Sequence, residues 1–432
     1  MQLFHTDFYQ MSMGLAYFIL NQHNDNVVFE AFVRKINPKV NPDETHYKFK
    51  GNDYINEYID IIKIELQDMN KVMDLFCQIV LPKVNPALQN IYRKKIQKLV
   101  NNKQIETKFV VNIYPDNGIV KPYVPVFQFI GPRWIGQLFE TRICLLINSK
   151  TGYNTNQKSK AYDLIYPSRI GLNIFDAYVK SLHNMAEDLR NSSGVVTLEA
   201  GYRRAPSDEV ANVASKIAIE HGWQGTSNVG AFLNGLVPLE RIGGTMAHSY
   251  IMGHRNETQA YFDWDMVWPH STMLIDTYDC VLAAKKLVEN NIIPAEVRID
   301  CDPLDKLNEA VQKVFHDAEL NQIGSFLSGD LDIEKLSRMH HIPFQKCMIG
   351  TKYVNHGIAE DINCGFVYKL MRVTDLEGTF YPIKLSIGKT HRNGLKDVTV
   401  VNKQIVVKQA DHFHDFKRNL IDVDPTKDVI FQ

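Results

Sequence analysis

Cysteine is scarce in this chain of 432 residues: six, at positions 77, 144, 280, 301, 347 and 364, with no CxxC pair among them. That spacing excludes the common zinc sites and the thioredoxin-type motif, and it reads as free thiols buried in a reducing compartment. No apolar run approaches the roughly 20 residues that a membrane helix needs. The opening Met1-Gln2-Leu3-Phe4-His5-Thr6-Asp7 has neither the basic nor the apolar region of a signal peptide, so a cytoplasmic protein off the membrane is expected. An excess of one charge is also missing. With 48 Lys+Arg against 49 Asp+Glu, no whole-chain field recruits nucleic acid, and an anionic ligand must be met by local basic residues. The cluster Arg93, Lys94, Lys95, Lys98 and Lys103 reads as the solvated face of a helix. There is no internal repeat, low-complexity tract or long linker.

What is present, from the middle of the chain onward, is alternation. Val195 to Leu198 is β-branched and apolar; Ser207 can then cap a helix whose Val210, Val213, Ala214, Ile217 and Ala218 follow the 3.6-residue period. Six more steps of this kind follow, with strands ending near Gly225, Gly244, Asp276, Asp300, Ser328 and Gly350. Helical stretches such as Val281 to Asn290 and Leu304 to Ala318 separate most of them. Parallel neighbours need a crossover, and a helix is the usual one. The expected fold class is therefore α/β, an irregular parallel α/β barrel over residues 126–365.

The flanks read differently. Residues 1–125 mix helices (53–77, 87–101) with strands (26–33, 108–113), and residues 366–432 alternate in period two with turn signals at Gly378-Thr379 and Asn393-Gly394. The two are expected to form one α+β domain against the barrel.

The chemistry-bearing blocks sit at the C-terminal ends of the strands, where α/β barrels assemble their sites. They are Glu199-Ala200-Gly201-Tyr202-Arg203-Arg204, Gly225-Thr226-Ser227-Asn228, Gly244-Thr245-Met246-Ala247-His248, Leu274-Ile275-Asp276-Thr277-Tyr278-Asp279, Ser328-Gly329-Asp330-Leu331 and Gly350-Thr351. Taken alone, each has a plain reading: His248 as a hydrogen-bonded core histidine, Asp330 or Asp332 as a helix cap, Gly350-Thr351 as a turn. His340-His341 and the His412, His414 pair lack metal-ligand partners at useful spacing and read as surface residues.

In that order and spacing, together with Thr6-Asp7-Phe8-Tyr9 near the start, the set resembles the nicotinate phosphoribosyltransferases from residue 6 to about residue 397. The resemblance implies transfer of phosphoribose from phosphoribosyl pyrophosphate to nicotinate, giving nicotinate mononucleotide and pyrophosphate in NAD salvage. It further implies ATP as co-substrate, with His248 phosphorylated during turnover, Mg²⁺ as cofactor, and a homodimer with shared sites. Tyr9 would stack on the pyridine ring from the neighbouring subunit, with Asp7 in the same signature. Thr245 and Arg298 would contact nicotinate, and Arg203 would join the substrate contacts. Asp330 would face the ribose, and Gly350 with Thr351 would hold the substrate phosphate. Arg34 and Lys389, the latter in Lys384-Leu385-Ser386-Ile387-Gly388-Lys389, would meet pyrophosphate or ATP.

Ser227 stands where the sister nicotinamide enzymes carry an aspartate. A hydroxyl can donate to the nicotinate carboxylate that an aspartate would repel. Two departures stand out. The family's Asp-Ser-Gly-Asp-Leu is here Asp300-Cys301-Asp302-Pro303-Leu304, which changes the donors beside Asp300, and Ala200 replaces an aromatic residue. The same reaction on nicotinamide, and a non-catalytic nucleotide-binding relative, are the competing readings.

Overall fold

The computed structural model describes residues 1–166, 172–339, 341–385, 391–412, 414–416 and 418–432. Six parallel strands form the central sheet: β1 (Val196–Glu199), β2 (Gly225–Thr226), β3 (Met273–Leu274), β4 (Glu296–Ile299), β5 (Gly324–Leu327) and β6 (Lys346–Ile349). Their order is β2-β1-β6-β5-β4-β3. The first strand thus lies beside the last, Ile349 opposite Glu199, which is the cyclic order of a barrel. Between β2 and β3 the ring is open. The expected strand before Gly244 is reduced to one parallel bridge, Thr226 to Ile242. Gly243 and Gly244 offer no side chains to pack and weaken a ladder, which accounts for the shortfall.

Crossover helices form where capping and period agree. Ser207 accepts from Val210 N at 3.3 Å to start Asp208–Glu220. Asp279 accepts from Leu282 N at 2.8 Å to start Cys280–Glu289. Leu304–Asp317 buries Leu304, Val311 and Phe315 along one stripe.

The second layer is an antiparallel sheet in the order Gly378–Phe380, Val367–Asp375, Asn26–Phe32, Phe127–Pro132, Val110–Ile113, so the two ends of the chain share one sheet as expected. It takes Phe127–Pro132 from beyond residue 125, the described elements between that strand and Ser193 are helices, and the barrel strands begin only at Val196. A short apolar run announces a strand but not the sheet it will join. The helix expected over residues 53–77 is two, Asn52–Glu65 and Met69–Val80, because Asp68 caps the second by accepting from Lys71 N at 3.1 Å. The hairpin Lys396–Val401 and Gln404–Gln409 closes the β-rich end. Among the described residues no helix is long and apolar enough to cross a membrane.

Candidate active site

The barrel strand ends open on a cavity whose far wall is the antiparallel sheet. Tyr9, Arg203, His248, Arg298, Asp300, Asp330, Gly350 and Thr351 reach it from the barrel side and the first helix, and Arg34 reaches it from beyond strand Asn26–Phe32.

His248 opens the helix His248–Met252. Its Nε2 lies 2.5 Å from Lys384 Nζ, and its Nδ1 lies 3.1 Å from Thr277 Oγ1. Lysine can only donate, so Nε2 accepts and the proton sits on Nδ1, which donates to Thr277. Asp300 Oδ2 and Asp276 Oδ2 stand 3.6 and 3.8 Å from Nε2. Burial, helped by Lys384, brings the histidine down to about 4 against the opposing pull of the two carboxylates. At neutral pH the imidazole is uncharged, with its Nε2 lone pair engaged by Lys384. The ligand atoms of His248, Asp276 and Asp300 fall within 4.8 Å of one another, a spacing that would suit a metal. Lys384 Nζ, 3.7 Å from Asp276 Oδ2, already supplies the positive charge there.

The histidine segment is tethered by side chains. Arg298 Nη2 donates to Met246 O at 3.0 Å, and Ser12 Oγ donates to Thr245 O at 2.5 Å. A Cβ on Gly244 would come within 2.7 Å of Tyr9 N, so only glycine lets the first helix and this segment meet. Thr245 itself supports the segment and is not among the lining residues. Arg298 Nε, buried, has no hydrogen-bond partner among the described residues. Arg203 donates to Tyr9 OH and Glu140 Oε1, each at 2.8 Å, which fixes Tyr9 in the cavity wall of its own chain.

Asp330 and Asp332 divide the two roles open to them. Asp332 caps the helix Ile333–Arg338 by accepting from Lys335 N at 2.9 Å, and Asp330 lines the cavity. The turn depends on Gly329, at φ +107° with Asp300 O 2.9 Å from where a Cβ would be.

Ser227 departs from its expected placement. Its Oγ donates to Asp7 Oδ1 at 2.5 Å, behind the cavity wall, and Thr141 Oγ1 donates to the other oxygen at 2.7 Å. A buried carboxylate two residues before Tyr9 is a strong acceptor, and sequence spacing did not show that the two motifs would pair. Burial raises the pKa of Asp7 against these hydrogen bonds. Ser227→Ala is therefore expected to cost about 1–3 kcal/mol of stability by stranding a carboxylate oxygen. Denaturant unfolding checks this; unchanged stability with a raised KM for the base would put the hydroxyl in the pocket instead.

Lys389 and His340 lie outside the described residues, while His341, His412 and His414 are exposed. Glu140, Arg204, Lys369 and Lys384 also line the cavity. Arg204 and Lys384 stand inside blocks quoted for the resemblance, but Lys369, brought down to about 7 by burial beside Arg34, is one lysine in an alternating strand and carries no signal.

Solved structures of similar shape include the nicotinate phosphoribosyltransferase of Porphyromonas gingivalis (TM-score 0.64, 19% identity, 90% of this chain and 96% of that one). A putative nicotinate phosphoribosyltransferase of Saccharomyces cerevisiae gives 0.63, 17%, 90% and 94%. The chain has the nicotinate phosphoribosyltransferase fold. Curated relatives agree. Nicotinate phosphoribosyltransferase pncB2 of Mycobacterium tuberculosis is 24% identical over 404 residues, 91% of this chain and 74% of the relative. That of Bacillus subtilis is 24% identical over 424 residues, 94% and 74%. No family model matches the chain. The resemblance read from the motifs is thus borne out across nearly the whole chain.

Proposed function

We propose that the chain joins nicotinate to phosphoribosyl pyrophosphate, giving nicotinate mononucleotide and pyrophosphate, with ATP hydrolysis coupled through phosphorylation of His248. The observation that carries this reading is one cavity at the barrel strand ends lined by both the guanidinium-bearing Arg298 and the uncharged His248. Names of relatives and of similar structures support the same activity.

Arg298 gives the nicotinate carboxylate a charged donor and holds the ring nitrogen toward the sugar, while Tyr9 offers its ring as a stacking face. Arg34, Arg203, Arg204, Lys369 and Lys384 line the same cavity and offset the charge of pyrophosphate as it leaves. Asp300 and Asp330 offer carboxylates to the ribose hydroxyls. The same two are the oxygen donors that suit Mg²⁺, which binds through one or two carboxylates and substrate phosphates. When bound, that ion would neutralise the leaving group. A homodimer belongs to the same proposal.

Base choice rests on Arg298, since the Ser227 hydroxyl is given to Asp7. Pyrophosphate release tests the reading. We expect release to depend on nicotinate, with nicotinamide disfavoured, and Arg298→Ala to lower kcat/KM for nicotinate by about 2–4 kcal/mol, or roughly thirty- to a thousandfold. Equal use of nicotinamide would make this the sister activity, and no release with either base would make the chain a non-catalytic binder.

A further inference from the structure

His248 is bordered by two neighbouring strand-end loops. The loop after β3 supplies Thr277 and Asp276; the loop after β4 supplies Asp300, whose Oδ1 accepts from Ser328 Oγ at 2.9 Å. Each loop also carries a cysteine a few residues on, Cys280 and Cys301, and their sulfurs are 4.0 Å apart. Cys280 is buried as the first residue of the helix Cys280–Glu289, anchored by the Asp279 cap. Cys301 is half-buried, in the irregular segment before helix Leu304–Asp317 and directly after Asp300.

We propose that Cys280 and Cys301 form a dithiol modification site that takes a small-molecule disulfide and, once oxidised, draws Asp300 away from His248. Cys301, the more accessible, loses its proton and attacks one sulfur of the small disulfide; that S–S bond breaks and one thiol leaves with the proton. Cys280 then loses its proton and attacks the Cys301 sulfur of the mixed disulfide, releasing the second thiol. Two protein thiols give up two electrons, and the small disulfide becomes two thiols. A disulfide bond is about 2.05 Å long, so the sulfurs must close by about 2 Å. The helix end is capped and buried, so the Cys301 segment makes that movement. Asp300, one residue away, moves with it and leaves the shell around His248. Spacing hid this pair, because residues 280 and 301 sit on separate strand-helix units that only the barrel brings together.

The effect on turnover rests on the proposed function; the bond itself does not. The test treats the full chain with oxidised glutathione, blocks remaining thiols with an alkylating agent, and maps the peptides. We expect two of the six thiols to be lost as one Cys280–Cys301 link. Nicotinate-dependent pyrophosphate release should fall by about a hundredfold, as an ångström-scale misplacement can cause. Dithiothreitol should restore it, and Cys280→Ser and Cys301→Ser chains should keep their activity through the same oxidation. Hydrogen exchange at Ser328 and Gly329 should rise on oxidation whether or not the chain turns over nicotinate. Six alkylated cysteines after treatment, or glutathione adducts without the link, would overturn the site. A link formed with release and exchange both unchanged would overturn its coupling to Asp300. An inactive reduced protein that still forms the link and loosens Ser328 would count against the proposed activity and for this site.

Discussion

Incubated with γ-labelled ATP and Mg²⁺, the wild-type chain is expected to acquire a phosphate that acid removes and base does not, and His248→Ala is expected to acquire none. A phosphoramidate is hydrolysed once its nitrogen is protonated, which sets the acid lability. The geometry makes Nε2 the attacking atom: Nδ1 carries the proton for Thr277, and Nε2 carries the lone pair to which Lys384 donates. Lys384 is then placed to turn from the imidazole to the incoming phosphate oxygens. ATP should no longer stimulate the variant, yet basal transfer should survive in part, because ring-nitrogen attack on the sugar needs positioning and charge stabilisation and does not need this nucleophile. The pH dependence has a definite sign. An imidazole loses its lone pair below its pKa, so an ordinary histidine would label more slowly below about 6.5. With His248 held near 4, labelling should stay level down to about pH 5. Acid-stable label, or equal label in wild type and His248→Ala, would move the phosphate to another residue.

Lys396→Met is expected to cost about 3–5 kcal/mol, the largest stability loss foreseen for a single exchange in this chain. Glu30 stands in the middle strand of the antiparallel sheet with 1% of its side chain exposed. Lys396, 6% exposed, donates to its Oε2 at 2.6 Å. Gln128 Nε2 donates to the other oxygen at 2.9 Å, and Lys396 also donates to Gly394 O at 3.0 Å. Without the lysine a buried carboxylate keeps one neutral partner and no opposite charge. Glu30→Gln in the same chain should recover most of the loss, since the charge is then gone as well. The midpoint and slope of urea unfolding for both variants decide it: a single exchange that leaves the midpoint unmoved would mean that water reaches Glu30.

Much of this architecture is legible in the sequence. Strand ends at Asp276 and Asp300 are legible because an apolar run is followed by a 3.6-residue helical stripe, Cys280–Glu289 and Leu304–Asp317, two signals that agree. The Gly244 step misled because its glycines look like a strand end and yet build almost no strand. Dense blocks hold residues that line the cavity, such as His248 and Arg203, and others that do not, such as Thr245, and Asp330 and Asp332 differ only by the cap that Asp332 makes. Lys369, whose strand pairs with the other end of the chain, shows what stays hidden: a sequence does not say which face of a half-buried strand looks into a cavity. Ser227 shows the complementary failure. Its partner, Asp7, is 220 residues away, and long-range hydrogen bonds leave no periodic trace.

The open seam between β2 and β3 has a mechanical consequence. A residue in a ladder cannot shift without breaking backbone bonds to both neighbours at once, whereas Ile242 to His248 meets the sheet at one bridge and is otherwise tied through the side chains of Arg298, Ser12, Met13, Thr277 and Lys384. Under the proposed function, the group that would gain and lose a phosphate is thus carried on a hinged slat rather than on a fixed stave. The rest of the ring can stay rigid while that slat moves.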